Sequence, residues 1–179
     1  MSASRIASRY AKPILELARD KKVLENVKED MESFTTLCRE NRDFSLMLKS
    51  PIIPHIRKAE ILSKVFKGKV NELTLQAFDL ITRKSRESLL NDIAVEFLHL
   101  YNMEKGMQEV SITSSIELDA EQRKDFEELS RKITGKEPIL QEKVDPSIIG
   151  GYLLKVGDRQ IDQSVSGQLK NIKLKLQTK

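Results

Sequence analysis

The period of the hydrophobic pattern changes next to Gly106, from helical to strand spacing. Before Gly106, apolar side chains recur at steps of three and four residues, most regularly at Val23, Val27, Met31, Phe34 and Cys38. After it, apolar and polar residues alternate from Glu109 to Ile116. Steps of three and four place side chains on one face of a helix, whereas alternation places them on one face of a strand. The sequence therefore predicts an α+β protein, with a helical domain over residues 1–105 and an α/β domain over residues 106–179.

Apolar residues at helical spacing form six segments in the first part of the chain, with Pro51 and Pro54 after the third and Gly68 after the fourth. The first begins near Ile6 and contains Pro13, which should remove one backbone hydrogen bond and bend the helix, unless the helix begins later. The fifth, from Val70 to about Arg83, is apolar on more than one side, which is typical of a helix that is central or covered by a partner. We therefore predict a bundle of six helices with short connections.

The remaining residues predict a β-α-β-β-β-α order. Asp119 and Gln122 have the spacing of a capping box, and the helix that follows them should end at Gly135. Strand patterns then resume in three short segments, residues 139–144, 152–156 and 159–162. The last two are expected to form a hairpin. Ser164 is a candidate N-cap for a final helix.

The single cysteine, Cys38, excludes an intrachain disulfide and indicates a reducing compartment. It falls at a helical core spacing, so we predict a small buried hydrophobe rather than a reactive thiol. No apolar run approaches the roughly 18 residues that a transmembrane helix needs, and the chain does not begin with the apolar stretch of a secretory signal. A soluble, non-exported protein is expected.

The excess positive charge lies at the end of the chain. The last 25 residues hold six basic and two acidic side chains, which accounts for the whole net charge of +4. With 5% aromatic residues and no tryptophan, there is little to stack on bases, so a solvated helix face is the better interpretation. A helical nucleic-acid-binding regulator with a basic tail is the alternative, and it predicts steeply salt-dependent affinity.

The sequence contains no convincing catalytic site. His55 and His99 lie in different segments without neighbouring metal ligands, and the seven glycines form no nucleotide-binding motif. Neighbouring acidic residues on a helix point in different directions and do not form a carboxylate pair. We therefore predict no catalytic residue, cofactor, metal or small-molecule substrate, and an undetected enzyme is the weaker alternative.

The most specific pattern runs from Val144 to Leu169. Its polar and glycine residues are interpreted as turn, packing and capping positions, namely Asp145, Pro146, Gly150, Gly151, Gly157, Asp158, Asp162 and Ser164. In order and without gaps, this run resembles the signature of the ATP synthase delta subunit family, whose mitochondrial relative is the oligomycin-sensitivity-conferring protein.

The resemblance extends over the whole chain. The Arg-Tyr-Ala-Lys sequence at residues 9–12 is similar to the start of the same family, and Arg86 with Leu89 and Leu90 resembles its motif before the sixth helix. Two departures are local. Pro13 stands where the family usually has a small apolar residue, and Lys84-Ser85 replaces a common Asn-Gly.

The resemblance implies a non-catalytic stator subunit of a bacterial, proton-translocating F-type ATP synthase. In that family the subunit links the F1 catalytic head to the peripheral stalk, so that the head does not rotate with the rotor. The helical domain takes an N-terminal helix of an alpha subunit, and the C-terminal domain meets the b-type stalk subunits. Its expected location is the cytoplasmic face of the inner membrane, peripheral and in contact with the membrane only through the complex.

The family places the alpha-subunit helix in a groove between helices 1 and 5. A helix-binding groove needs an exposed apolar strip, and small residues allow close approach. The candidate residues on these two helices are Ala7, Tyr10, Ala11, Ile14, Ala77, Leu80 and Ile81. Several must also belong to the core, and spacing leaves open which of them face outward. A charge at Ile14 or Ala77 is expected to abolish binding.

Overall fold

The computed structural model describes residues 3–157 and 159–177. They form two compact units, which divide between Tyr101 and Asn102. The α+β class is confirmed: helices make up the first unit, and a four-stranded sheet with helices makes up the second.

The described part of the first unit has six α-helices, as predicted. They are α1 (Ala3–Asp20), α2 (Leu24–Glu40), α3 (Arg42–Lys49), α4 (His55–Phe66), α5 (Glu72–Arg83) and α6 (Leu90–Glu104), with a 3-10 turn at Glu87–Leu89 before α6. Helix α1 continues through Pro13, so of the two possibilities that the sequence left open, the later start does not apply. Proline has no N–H to donate to the carbonyl of Arg9, and the exposed position of its ring limits the cost.

Four phenylalanines from four helices form the centre of the first core. Phe34 is fully buried, and its ring centroid lies 4.8 Å from that of Phe78, 5.7 Å from that of Phe66 and 6.1 Å from that of Phe44. Aromatic rings bury large areas and prefer such tilted or edge-on contacts. Cys38 belongs to this core as predicted, and burial raises the pKa of its thiol to about 11, against a smaller lowering by Lys49.

One ion pair is buried in the first unit. Lys58 Nζ on α4 donates to Glu87 Oε1 at 2.8 Å and to the carbonyl of Leu48 at 2.9 Å. Burial alone would raise the pKa of Glu87, but the hydrogen bond and charge of Lys58 outweigh it and hold the pKa below its ordinary value. Lys58 therefore joins α4 to the end of α3 and to the 3-10 turn.

The second unit has the predicted β-α-β-β-β-α order. Its elements are β1 (Met107–Ser114), α7 (Ala120–Thr134), β2 (Glu137–Val144), β3 (Tyr152–Val156), β4 (Arg159–Asp162) and α8 (Val165–Gln177). The strand order is β2-β1-β3-β4. Strands β1 and β2 are parallel, whereas β3 is antiparallel to both β1 and β4. The predicted hairpin is thus β3–β4.

The core of the second unit lies on one face of the two central strands. Val110 and Ile112 of β1 and Leu154 of β3 are fully buried, and Phe126 of α7 packs edge-on against Tyr152 at 4.7 Å. The predicted capping box is present: Asp119 accepts from the backbone N–H groups at residues 121 and 122, and the Gln122 side chain accepts from the N–H of Asp119.

Candidate protein-binding site

An apolar groove of about 390 Å³ runs between α1 and α5. Its walls are mostly aliphatic and aromatic side chains. The lining residues are Arg9, Tyr10, Pro13, Ile14, Leu17, Leu73, Gln76, Ala77, Leu80 and Ile81. Arg9 and Gln76 contribute the polar atoms, so the groove suits an apolar helix face better than a charged ligand.

Exposure separates the rim of the groove from its floor. Leu17 on α1 is 48% exposed and Leu80 on α5 is 53% exposed, whereas Ile14 and Ala77 are each 8% exposed. Leu17 and Leu80 therefore face outward. A charge at Ile14 or Ala77 would enter the core, so the sequence-based choice of test positions was wrong.

The candidate residues from the sequence divide into two groups. Five of them line the groove, namely Tyr10, Ile14, Ala77, Leu80 and Ile81. Ala7 and Ala11 are buried in the core and are not among its lining residues. Their side chains belong to the core beneath this face of α1.

Sequence reasoning missed half of the lining, and for Leu17 a signal was present. Leu17 continues the row of Tyr10 and Ile14 at steps of four and three residues, so it must share their face. Arg9 and Gln76 have no such signal, because charged and amide side chains at the edge of an apolar stripe are normal on any helix.

The start of α5 is fixed by a carboxylate from α2. Asp30 Oδ2 accepts from the backbone N–H of Asn71 at 2.7 Å and from Thr74 Oγ1 at 2.6 Å. The Asn71 side chain caps the N–H of Leu73 at 3.0 Å. These bonds satisfy donors of the first turn and set the position of the helix that forms one wall of the groove.

The signature segment forms a network at the start of α8. Asp162 Oδ1 accepts from the N–H and the hydroxyl of Ser164, at 2.9 and 2.6 Å, and these bonds hold the pKa of Asp162 below its ordinary value. Ser164 Oγ in turn accepts from the N–H of Gly167 at 3.0 Å. Ser164 is therefore the N-cap of α8, and Asp162 orients it.

The two consecutive glycines face this network. The carbonyl of Gly150 accepts from the N–H of Val165 at 3.0 Å, and Gly151 has φ of +80°. A Cβ at Gly151 would overlap the carbonyl oxygen of Gln163. Backbone therefore packs on backbone here, which only glycine allows.

The other signature residues are turn residues. Asp145 Oδ1 accepts from the N–H of Ser147 at 3.0 Å, so the segment through Pro146 forms a turn, and bonds from Ser147 lower the pKa of Asp145. Gly157 has φ of +57°. Asp158 lies outside the described residues.

A second groove, of about 450 Å³, lies in the second unit. The end of β1, the loop that follows it, α7 and the start of β3 contribute its walls, with Leu118, Phe126, Leu129 and Tyr152 as the apolar lining. Ile116 also lines it and is 68% exposed. An isoleucine this exposed beside an apolar groove is typical of a contact surface.

Within residues 3–157 and 159–177, no helix is both long and apolar enough to cross a membrane. The same residues include no group of three or more His, Cys, Asp or Glu side chains placed to hold a metal ion.

Comparison with known proteins gives a consistent result over nearly the whole chain. Residues 6–176 match the family model described as ATP synthase delta (OSCP) subunit. The protein named ATP synthase subunit delta from Cytophaga hutchinsonii is 34% identical over 98% of this chain and 96% of its own. The chloroplastic ATP synthase subunit delta of Emiliania huxleyi is 35% identical over 96% of each chain.

A solved structure has the same fold. A chain from the cryo-EM structure of the Toxoplasma gondii mitochondrial ATP synthase hexamer matches 95% of this chain and 96% of its own, with a TM-score of 0.77 and 22% identity. At 22% identity, this match supports the fold alone.

Proposed function

We infer that this chain, which belongs to the ATP synthase delta (OSCP) subunit family, serves the ATP synthase as a stator subunit. Its relatives across bacteria and chloroplasts are named as the delta subunit of that enzyme. The alternative of a nucleic-acid-binding regulator has no support in these comparisons. In finer terms, the proposed role is non-catalytic: the first unit binds an N-terminal helix of an alpha subunit, and the second unit binds the b-type stalk subunits.

The proposed contact with the catalytic head depends on the groove between α1 and α5. An amphipathic helix binds such a groove by placing its apolar residues, three or four apart, between the two walls. Leu17 and Leu80 supply exposed apolar area on opposite walls, while Ile14 and Ala77 form a firm floor. Without a guest, Leu17 and Leu80 expose apolar area that a bound helix would remove from water.

The stator role sets a kinetic requirement on this contact. The head experiences torque during each rotation of the rotor, so its complex with this chain must have a lifetime longer than many rotations. Affinity among related complexes is determined mainly by the dissociation rate. A preformed groove on rigid helices favours slow dissociation, because little conformational entropy is lost on binding.

The groove beside Ile116 is the proposed contact for the stalk. It combines an open cavity with a strongly exposed aliphatic side chain. A stalk helix could cover Ile116 and contact Phe126 and Tyr152 beneath it. The complex then holds the chain at the cytoplasmic face of the membrane, peripherally and without a membrane contact of its own.

A charge on the rim of the first groove tests the proposal. Leu80→Asp should lower the affinity for a peptide of the alpha-subunit N-terminus by at least a hundredfold in calorimetry, since about 2–3 kcal/mol of apolar contact is lost and a carboxylate is desolvated. Val95→Asp is the matched control, because Val95 is an apolar residue on α6, 52% exposed and away from the groove.

The far-UV circular dichroism of both variants should equal that of the parent. Equal peptide affinity for Leu80→Asp and Val95→Asp would contradict the groove assignment. Purification of the chain from its native membrane should recover alpha and b subunits together, and recovery of neither would contradict the linking role.

A further inference from the structure

The groove between α1 and α5 has an uneven distribution of charge along its length. Arg86 follows the end of α5, and its guanidinium lies 5.8 Å from the ring centroid of Tyr10 on α1. The C-terminal end of α5 therefore lies beside the N-terminal half of α1. We call this end of the groove, where Arg9 and Tyr10 line it, the Arg9 end.

Three basic side chains meet at the Arg9 end. Arg9 itself lines the groove, and Arg86 stacks on the lining residue Tyr10. Lys84 is four residues after Leu80 and three after Ile81, so it continues the groove-facing row of α5. Within the described part of the chain, none of the three has a carboxylate within ion-pair distance.

The opposite end has no comparable excess. Asp20 and Lys21 follow Leu17 by three and four residues, and so they extend the groove-facing row of α1 with opposite charges. Near α5, Glu72 accepts a hydrogen bond from the lining residue Gln76. The groove is therefore basic at one end and carries no positive excess at the other, so it is electrostatically directional.

We propose that Arg9, Lys84 and Arg86 form a basic end of the groove that binds acidic side chains of the guest helix and so fixes the direction in which the helix lies. The apolar walls supply most of the affinity but little information about direction, because leucine and isoleucine contacts are similar in both orientations. Charge pairs at the rim of an interface set register and orientation more than total affinity. Arginine suits this role, since its planar fork binds a carboxylate through two parallel hydrogen bonds.

This inference rests on the proposed function, and its test uses the full chain with two synthetic peptides. The peptides are amphipathic helices with the same apolar face. One has glutamates in its first turns and the other has them in its last turns, and each has a nitroxide label at its N-terminus. Paramagnetic broadening of amide signals then reports which end of the groove the label approaches.

The expected result is that the two peptides bind in opposite directions. The label of the first should broaden signals near Tyr10 and Ile81, and the label of the second should broaden signals near Leu17 and Leu73. The same direction for both peptides would overturn the inference. If neither peptide binds, both the inference and the proposed function are overturned. The two outcomes therefore distinguish failure of the inference alone from failure of the proposed function.

A charge reversal provides a second readout. Arg9→Glu should weaken both peptides roughly tenfold at low salt, and the loss should shrink at high salt as the charges are screened. Lys12→Glu is the matched control: it makes the same change in net charge on the same helix, but Lys12 is not among the lining residues. Equal losses for the two variants would mean that overall charge, rather than the Arg9 end, acts on the guest.

Discussion

Ser85 shows how a single residue in this chain accepts an unfavourable backbone conformation. Ser85 has φ of +55°, in the left-handed region where side chains other than glycine are strained. It lies in the turn between α5 and the 3-10 turn, at the position where the family commonly has glycine. Part of the stability of the chain is therefore lost in this turn.

Ser85→Gly is predicted to raise the free energy of unfolding by about 0.5–1 kcal/mol, because glycine relieves the left-handed strain at the cost of some extra entropy in the unfolded chain. Urea unfolding measures the change. Ser33→Gly is the control, since Ser33 is an exposed residue within α2 and glycine there should lower stability by about 0.5 kcal/mol. A loss of stability in both variants would contradict the strain at Ser85.

Gly151 is the position where glycine is most strictly required. Gly151→Ala should destabilise the second unit by about 2–4 kcal/mol, since a Cβ would overlap the carbonyl oxygen of Gln163 and φ is +80°. Gly135→Ala shares the positive φ of +68° but meets open space, so it should cost only about 1 kcal/mol. Urea unfolding with hydrogen exchange of β3 amides distinguishes the two, and equal costs would mean that the close approach to Gln163 is unimportant.

At the scale of elements, hydrophobic period predicted most of what the structure contains. Helix α5 was expected over Val70–Arg83 and lies at Glu72–Arg83, because an asparagine cap precedes it and its apolar rows are long. Pro13 left the course of α1 open, and the helix continues through it because the lost hydrogen bond costs less at an exposed position than the packing of the whole stripe gains. The local sequence does not specify which neighbouring element packs on a helix face. The exposed rim and the buried floor of the groove could therefore be assigned only from the structure.

The buried ion pair between Lys58 and Glu87 joins three elements and yields a pH-dependent prediction. Lys58→Met should lower the free energy of unfolding at pH 7 by about 3–5 kcal/mol, because the Glu87 carboxylate would stay buried without its partner. Lys58→Met with Glu87→Leu should recover most of the loss, since no charge remains to be desolvated.

The sign of the pH effect follows from the lowered pKa of Glu87 in the parent. That carboxylate stabilises the fold above its ordinary pKa, and the contribution is lost as pH falls through the lower pKa of the folded state. In Lys58→Met a protonated Glu87 needs no partner. The difference in stability between parent and single variant should therefore be large at pH 7 and shrink below about pH 4. A difference that is constant with pH would exclude the ion pair as its cause.

For the whole molecule, the stator role requires one stable contact with the catalytic head and another with the stalk. Loss of either contact should uncouple ATP hydrolysis from proton pumping without stopping hydrolysis. In the assembled ATP synthase, Leu80→Asp should leave ATP hydrolysis by the F1 head largely intact, because this chain supplies no catalytic group in the proposed role. ATP-driven proton pumping in membrane vesicles should fall towards zero, since a head that is free to turn does no work on the rotor. Val95→Asp, with a similarly exposed position on α6, should retain both activities.

Parallel loss of hydrolysis and pumping in Leu80→Asp would contradict a purely mechanical role. Retention of both activities would mean that the groove does not hold the head.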